Sequence, residues 1–166
     1  MVDYRPEKPD DIPAIGALVS ACFPTDAEAR LVALLRKAGR LSVSGVAIDA
    51  GAIVGHVALS PVTTGTGETG FGLAPVCVAE SHRERGIAAR LIRDALEIAR
   101  ADGSGWGVVL GEPEYYRRFG FRPASSCGLN DAYGGGAAFQ AIELAPGALP
   151  INAGRVSYAP EFDALG

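Results

Sequence analysis

The chain has few cysteines, and the three that it has are far apart: Cys22, Cys77 and Cys127. An odd number of widely spaced cysteines argues against a disulfide framework and against a paired zinc site, so we expect a reducing cytoplasm and no metal. No apolar run reaches the roughly 18 residues of a membrane helix, and the first residues lack the apolar core of a signal peptide. We therefore expect neither export nor membrane insertion.

An excess of positive charge is also lacking, because 15 Lys and Arg stand against 19 Asp and Glu, for a net charge of −4. The basic residues cluster around Arg83, Arg85, Arg90 and Arg93, which suits a small anionic ligand better than a duplex, so we expect no nucleic-acid partner. The apolar share of 48% and the length of 166 residues predict one globular domain spanning residues 1–166.

Helical and extended patterns alternate along the chain. Two short helices are predicted near the start, one over residues 10–22 and one opening with a capping box at residues 25–28. The predicted strands cover residues 2–5, 42–49, 52–59, 71–78, 106–110 and 137–144, and residues 121–124 are predicted to enter another strand. Ala50-Gly51 is predicted to form a tight hairpin turn between the second and third strands. Pro75 predicts an interruption or a bulge in the strand that contains it. We expect loops at residues 63–70 and 125–136, the second one mobile, and an edge strand or extended chain at residues 155–158.

The strongest helix pattern covers residues 85–101, where apolar residues form one stripe and charged residues the opposite face. A helical turn or two is predicted at residues 114–119. A helix between two strands serves as a crossover, which makes the strands at 71–78 and 106–110 parallel neighbours. The chain is therefore predicted to be of the α/β or α+β class.

The start of this helix has the features of an anion site. A strand that ends at Val78, a short loop and a helix that opens at Gly86 leave backbone N–H groups able to hold a phosphate. Gly86 lets the backbone approach closely, and Ala88 is small. Arg83 and Arg85 stand where the helix dipole favours acidic residues, which is reasonable if a ligand supplies the negative charge. The alternative is an ordinary turn with solvated arginines.

Two motifs resemble the GNAT superfamily of N-acetyltransferases. Residues 73–78 and 82–92 are similar to its acetyl-CoA motif, Gln/Arg-x-x-Gly-x-Gly/Ala, in which Arg83, Gly86 and Ala88 occupy the defining positions. Residues 110–121 resemble the second motif, a strand, a short helix bearing tyrosine, and Gly-Phe. The resemblance extends to residues 55–62, 139–144, 146–149 and 156–162, which are similar to the YhbS-like branch of predicted bacterial N-acetyltransferases.

The resemblance implies the GNAT fold, a central mixed and mostly antiparallel sheet with splayed parallel strands, flanked by about four helices. It also implies transfer of the acetyl group of acetyl-CoA to a primary amine, by direct attack in a ternary complex. The acceptor would be a small-molecule amine or a peptide amine. Its binding site would be lined by the loops at residues 23–28, 63–70 and 125–136. The alternative is a non-catalytic acyl-CoA-binding or regulatory module. Whether the chain forms a homodimer is left open by the sequence.

Site residues follow from the same resemblance. The implied cofactor-binding residues are Val76, Cys77, Val78, Arg83, Glu84, Arg85, Gly86, Ile87, Ala88, Ala89 and Tyr116. Tyr116 would protonate the CoA thiolate, although core packing is its alternative role. The general base is suggested by the residues themselves and not by the resemblance: Glu112 is the candidate, at the end of the strand before Tyr116, and Glu28, His56 or a relayed water are alternatives to it. Cys77 is expected to be a small buried residue because no His–Asp arrangement accompanies it.

Overall fold

The computed structural model describes residues 1–165, which divide into two compact units. One unit comprises Met1–Leu59, Pro75–Ala95 and the chain from Pro160 onward, and the other comprises Ser60–Ala74 and Leu96–Ala159. The strands are β1 Val2–Pro6, β2 Val43–Asp49, β3 Ala52–Thr64, β4 Thr69–Val78, β5 Trp106–Leu110, β6 Arg122–Pro123, β7 Leu129–Asp131, β8 Phe139–Glu143 and β9 Gly154–Tyr158. The helices are α1 Ile12–Cys22, α2 Ala27–Lys37, α3 Ile87–Ala101 and α4 Pro113–Arg117.

The sheet is mixed and mostly antiparallel, as predicted, and hydrogen-bonded neighbours follow the order β1-β2-β3-β4-β5-β8-β6. In the first unit β1, β2 and the start of β3 pair antiparallel. The predicted hairpin turn is confirmed, because Ala50 and Gly51 both have positive φ, 51° and 81°. Such turns match the twist of the strands that they join. Among residues 1–165, none of the helices has the length and apolar character needed to cross a bilayer.

Helices α1 and α2 form in the predicted places, but their ends differ from the prediction. The capping box proposed for α2 is wrong, because the residue before the helix is Asp26 and its side chain makes no capping hydrogen bond. Asp11 accepts hydrogen bonds from Arg5 at 2.6 and 3.0 Å and from the backbone N–H of Lys8 at 2.7 Å. Its carboxylate therefore caps the short turn Pro9–Asp11 that leads into α1, and an ion pair with Arg5 holds it there. Helix α1 buries its apolar stripe, which includes Ile15 and Val19, against the first unit's sheet.

Helix α3 begins at Ile87, two positions after the predicted start, and the first half of its apolar stripe lies on β2 and β3. A Cβ atom at Gly55 would come within 2.9 Å of Leu91 Cδ1 and 3.1 Å of Ile87 Cγ2. Gly55 therefore allows the first turns of α3 to pack directly on the backbone of β3. This close contact sets the position of the N-terminal end of the helix.

In the second unit β4 and β5 are parallel, as the crossover predicts, with Phe71 opposite Gly107 and Leu73 opposite Val109. Two aromatic rings cover glycines of the neighbouring strand. A Cβ atom at Gly70 would lie 2.6 Å from the Trp106 ring, and one at Gly107 would lie 2.1 Å from Phe71 Cζ. This reciprocal packing fixes the register of the parallel pair.

The rest of the second unit departs from the prediction. The segment 125–136, expected to be a mobile loop, contains a short turn of helix at Ala124–Cys127 and strand β7. Strand β9 is no edge strand, because it pairs antiparallel with β3 and parallel with β7. Strand β4 is continuous from Thr69 to Val78, so of the two alternatives at Pro75 an interruption does not occur. Strand β3 runs five residues beyond its predicted end, to Thr64.

Candidate active site

The first unit contains the predicted anion cradle, at the junction between β4 and α3. The hydrogen bonds of α3 begin with the N–H of Arg90, which donates to the carbonyl of Gly86 at 3.1 Å. The N–H groups of Ile87, Ala88 and Ala89 precede that bond and are not used by the helix. Gly86 has a φ of +77°, and a Cβ atom there would meet nothing within 4 Å. Open space thus lies against the N-terminus of a 15-residue helix, which suits an anionic group such as a phosphate.

The loop before α3 is held by its own side chains. Arg83 Nε donates to the carbonyl of Val78 at 3.1 Å, which closes the loop onto the end of β4. His82 Nε2 lies 2.7 Å from Asp49 Oδ2, which ties the loop to the end of β2. Glu84 has a φ of 64°, a conformation that is uncommon for a residue with a side chain. The predicted residues Arg83, Glu84 and Arg85 are all exposed at this loop.

The end of β4 lies under helix α1. Cys77 is only 8% exposed and packs against Ile15 and Val19, which confirms the prediction of a small buried residue. Burial, followed by the neighbouring thiol of Cys22, raises the pKa of Cys77, so its reactive thiolate form is disfavoured. The predicted residues Val76 and Val78 flank it on the same strand.

Tyr116 and Glu112 lie in the second unit, on and before α4. The Tyr116 ring lies over Gly111, where a Cβ atom would be 2.3 Å from Tyr116 Cε2. Its neighbours are Tyr115 and Phe121, with ring centroids 5.1 and 5.7 Å away. Burial, helped by Tyr115, raises the pKa of Tyr116 to about 12. The phenol is therefore held in its protonated form at neutral pH, which is the form that can donate.

The three side chains considered as general base have different surroundings. Glu112 is exposed and its backbone carbonyl accepts the first hydrogen bonds of α4, from Tyr115 and Tyr116. Glu28 is half-buried on α2, and its Oε1 has no partner among residues 1–165. His56 is 0% exposed, and burial lowers its pKa to about 4. An amine from solvent would have to displace core packing to reach His56, so the structure disfavours that role.

Some contacts of the candidate site have no local signal in the sequence. His82 is half-buried and hydrogen-bonded to Asp49, a contact that nothing local in the sequence indicates. The two residues are 33 positions apart, so only the fold brings them together. The same holds for Asp131 and Tyr158, which β7 and β9 place near each other.

The chain has clear relatives. A family model described as "Acetyltransferase (GNAT) domain" matches residues 3–124. The protein named "Uncharacterized N-acetyltransferase YhbS" from Escherichia coli strain K12 is 40% identical over 162 residues, which cover 96% of this chain and 97% of that protein.

Two solved structures extend the likeness to three dimensions. The structure of YhbS from Escherichia coli, a GNAT family N-acetyltransferase in complex with CoA, has a TM-score of 0.93 and 39% identity. The match covers 99% of this chain and 93% of the YhbS chain. The structure of a GNAT family acetyltransferase from Brucella melitensis in complex with acetyl-CoA has a TM-score of 0.82 and 35% identity, and the match covers 98% of this chain and 99% of that chain.

Proposed function

This chain belongs to the GNAT acetyltransferase family, whose cofactor is acetyl-CoA, and from that premise we propose that it acetylates a primary amine. The observation that carries the proposal is the cradle at Gly86, an open helix terminus at the position of the family's acetyl-CoA motif. We take residues 1–166 as one catalytic domain, since a relative matches over 96% of the chain. We take the cytoplasm as its compartment, because the three cysteines are free thiols.

In this proposal the chain binds acetyl-CoA with backbone groups. The N–H groups from Glu84 to Ala89 hold the pyrophosphate, and Gly86 leaves room for it. The N–H of Arg83, expected to join them, donates instead to the carbonyl of Glu80 at 3.4 Å. The backbone of Val76 to Val78 pairs with the pantetheine arm and polarises the thioester carbonyl. The cofactor supplies an activated acetyl group on sulfur. Arg83 and Arg85 add positive charge beside the phosphates.

The chemical step joins the amine nitrogen to the carbonyl carbon as the C–S bond breaks, within a ternary complex. Tyr116 is our candidate donor to the departing sulfur, a role supported by its buried phenol and by its place in the family's second motif. Glu112 is our candidate base for the proton that the amine loses, and its exposure leaves it accessible. Glu28 and a relayed water stay as alternatives.

Calorimetric titration with acetyl-CoA tests the proposal. Wild-type protein is expected to bind, and Gly86→Glu is expected to lose binding because it adds bulk and negative charge at the open face of the cradle. Gly103→Glu is the matched control. Gly103 also has positive φ and open space around it, and the change in charge is the same. An equal loss of acetyl-CoA affinity in both variants, or no acetyl-CoA binding by the wild-type protein, would contradict the proposal.

Consumption of the thioester separates catalysis from the alternative of a non-catalytic module. Wild-type protein with acetyl-CoA is incubated with a panel of amines, and the released CoA thiol is measured. Release that depends on both protein and amine supports acetyl transfer. Tight binding of acetyl-CoA without amine-dependent release across the panel would favour the binding module instead.

A further inference from the structure

The second unit has a polar cluster beside the end of β5 to which no role has yet been given. The loop after β7 lies against the last residue of that strand, since a Cβ atom at Gly135 would come within 2.3 Å of Leu110 Cδ2. The Tyr116 ring packs on the next residue, Gly111. The loop and the proposed proton donor thus contact consecutive residues at the carboxyl end of a parallel strand. In open α/β sheets ligands bind outside such ends.

Three side chains make up the cluster, which we call the β7–β9 cluster: Asp131, Tyr133 and Tyr158. The rings of the two tyrosines are 5.7 Å apart between centroids and inclined at 54°. Tyr133 is 48% exposed, so one face of the cluster is open to solvent. The Tyr158 ring is held against β4, where a Cβ atom at Gly72 would lie 2.8 Å from its Cε1.

Asp131 places a negative charge beside these rings. Asp131 lies opposite Val156 on β9, and Tyr158, two residues further along, shares the same face of that strand. In keeping with this placement, burial and then the charge of Asp131 raise the pKa of Tyr158. The backbone N–H groups of Tyr133 and Gly135 donate to the Asp131 carboxylate at 3.0 to 3.2 Å, which fixes its direction. A carboxylate has about four lone-pair positions, so it can accept further donors from a ligand. Arg155 comes directly before Val156, which is the β9 partner of Asp131. Because side chains alternate between the two faces of a strand, Arg155 lies on the face opposite to Asp131 and does not neutralise its charge.

A carboxylate beside two tyrosine rings favours a positively charged nitrogen. Ring faces attract cations within about 6 Å of their centroids. We propose that the β7–β9 cluster binds an ammonium group of the acceptor. The reacting nitrogen must be neutral when it attacks, so the charge that the cluster selects belongs to a second nitrogen. The substrate class is therefore a small amine with a second, cationic nitrogen. This inference rests on the proposed acetyl transfer.

Binding of choline tests the cluster without any reaction. Its neutral control is dimethylbutanol, in which carbon replaces the charged nitrogen. Wild-type protein in the presence of CoA is expected to bind choline about three- to tenfold more tightly than the control, from one exposed ion pair and cation–π contact. Asp131→Asn, which keeps an oxygen for the turn, is expected to remove that preference. Asp102→Asn changes the charge equally at an exposed turn after α3 and is expected to retain it.

Turnover then tests the substrate class. With propane diamine as acceptor, Asp131→Asn is expected to raise KM about three- to tenfold, while KM for propylamine changes less than about twofold. Equal effects on the two amines, or no preference for choline in the wild type, would overturn the inference. If choline binds as expected but no amine is acetylated, acetyl transfer is refuted and the ammonium site stands. Acetyl-CoA affinity, measured in each variant, shows whether the cradle is intact.

Discussion

Tyr116→Phe is the substitution that most directly tests the proposed chemistry. It removes one hydroxyl group and keeps the ring, whose contacts with Tyr115, Phe121 and Gly111 are made by carbon atoms. Because those contacts remain, folding and acetyl-CoA affinity are expected to stay close to the wild-type values. Any loss of rate then reports on the phenol itself.

The size of the loss follows from the pKa of Tyr116, which burial raises to about 12. A thiol such as that of CoA has a pKa of about 8.5, so complete transfer of the phenol proton to the thiolate is uphill at equilibrium. The benefit is therefore that of a hydrogen bond to the charge that develops on sulfur, about 2 kcal/mol. That energy corresponds to a decrease in kcat of about 30-fold.

The assay is the release of CoA thiol at saturating acetyl-CoA, between pH 6 and pH 10. Wild-type protein is expected to show no alkaline loss of kcat due to Tyr116, because the phenol stays protonated until about pH 12. Tyr115→Phe is the control, since it removes the neighbouring hydroxyl and is expected to change kcat less than about threefold. An unchanged kcat in Tyr116→Phe, or an alkaline loss below pH 10 that disappears in it, would refute the reasoning.

Two further substitutions test the fold. His56 has a pKa of about 4 when folded, so the unfolded chain takes up its proton first as the pH falls, and stability decreases by about 2 kcal/mol from pH 7 to pH 5. His56→Gln is expected to remove that part of the decrease, as measured by urea denaturation at both pH values. Gly107→Ala places a Cβ atom 2.1 Å from the buried ring of Phe71, and is expected to lower the free energy of unfolding by about 1 to 3 kcal/mol.

For both substitutions, one result would contradict the reasoning. Gly65→Ala is the control for the β5 substitution, because that glycine has open space around it and no positive φ. An equal effect at Gly65 and Gly107 would show that ring packing is not the cause. The same pH dependence in wild-type protein and His56→Gln would show that the buried imidazole is not the group that takes up the proton.

Local patterns predicted the elements that carry the cradle. The apolar stripe of residues 87–101 specifies a helix whatever lies around it, and Ala50-Gly51 specifies a tight turn. The parallel pairing of β4 and β5 followed from the crossover alone. Where the pattern that determines an element lies within one turn, helix or strand, the sequence alone was sufficient to predict that element.

Contacts between distant residues account for what was missed. The segment 125–136 is rich in glycine and polar residues, yet β9 supplies the partner that makes part of it a strand. The burial of His56 depends on the whole first unit. Pairings of this kind have no local period or motif, so a single sequence does not reveal them.

The glycines covered by Trp106 and Phe71 also constrain how this family can change in evolution. Each ring occupies the space of a missing side chain on the opposite strand, at Gly70 and at Gly107. A larger residue at either glycine is tolerable only if the facing ring is lost in the same lineage. An alignment of relatives is therefore expected to show two linked pairs of positions, 70 with 106 and 71 with 107, that vary together or not at all.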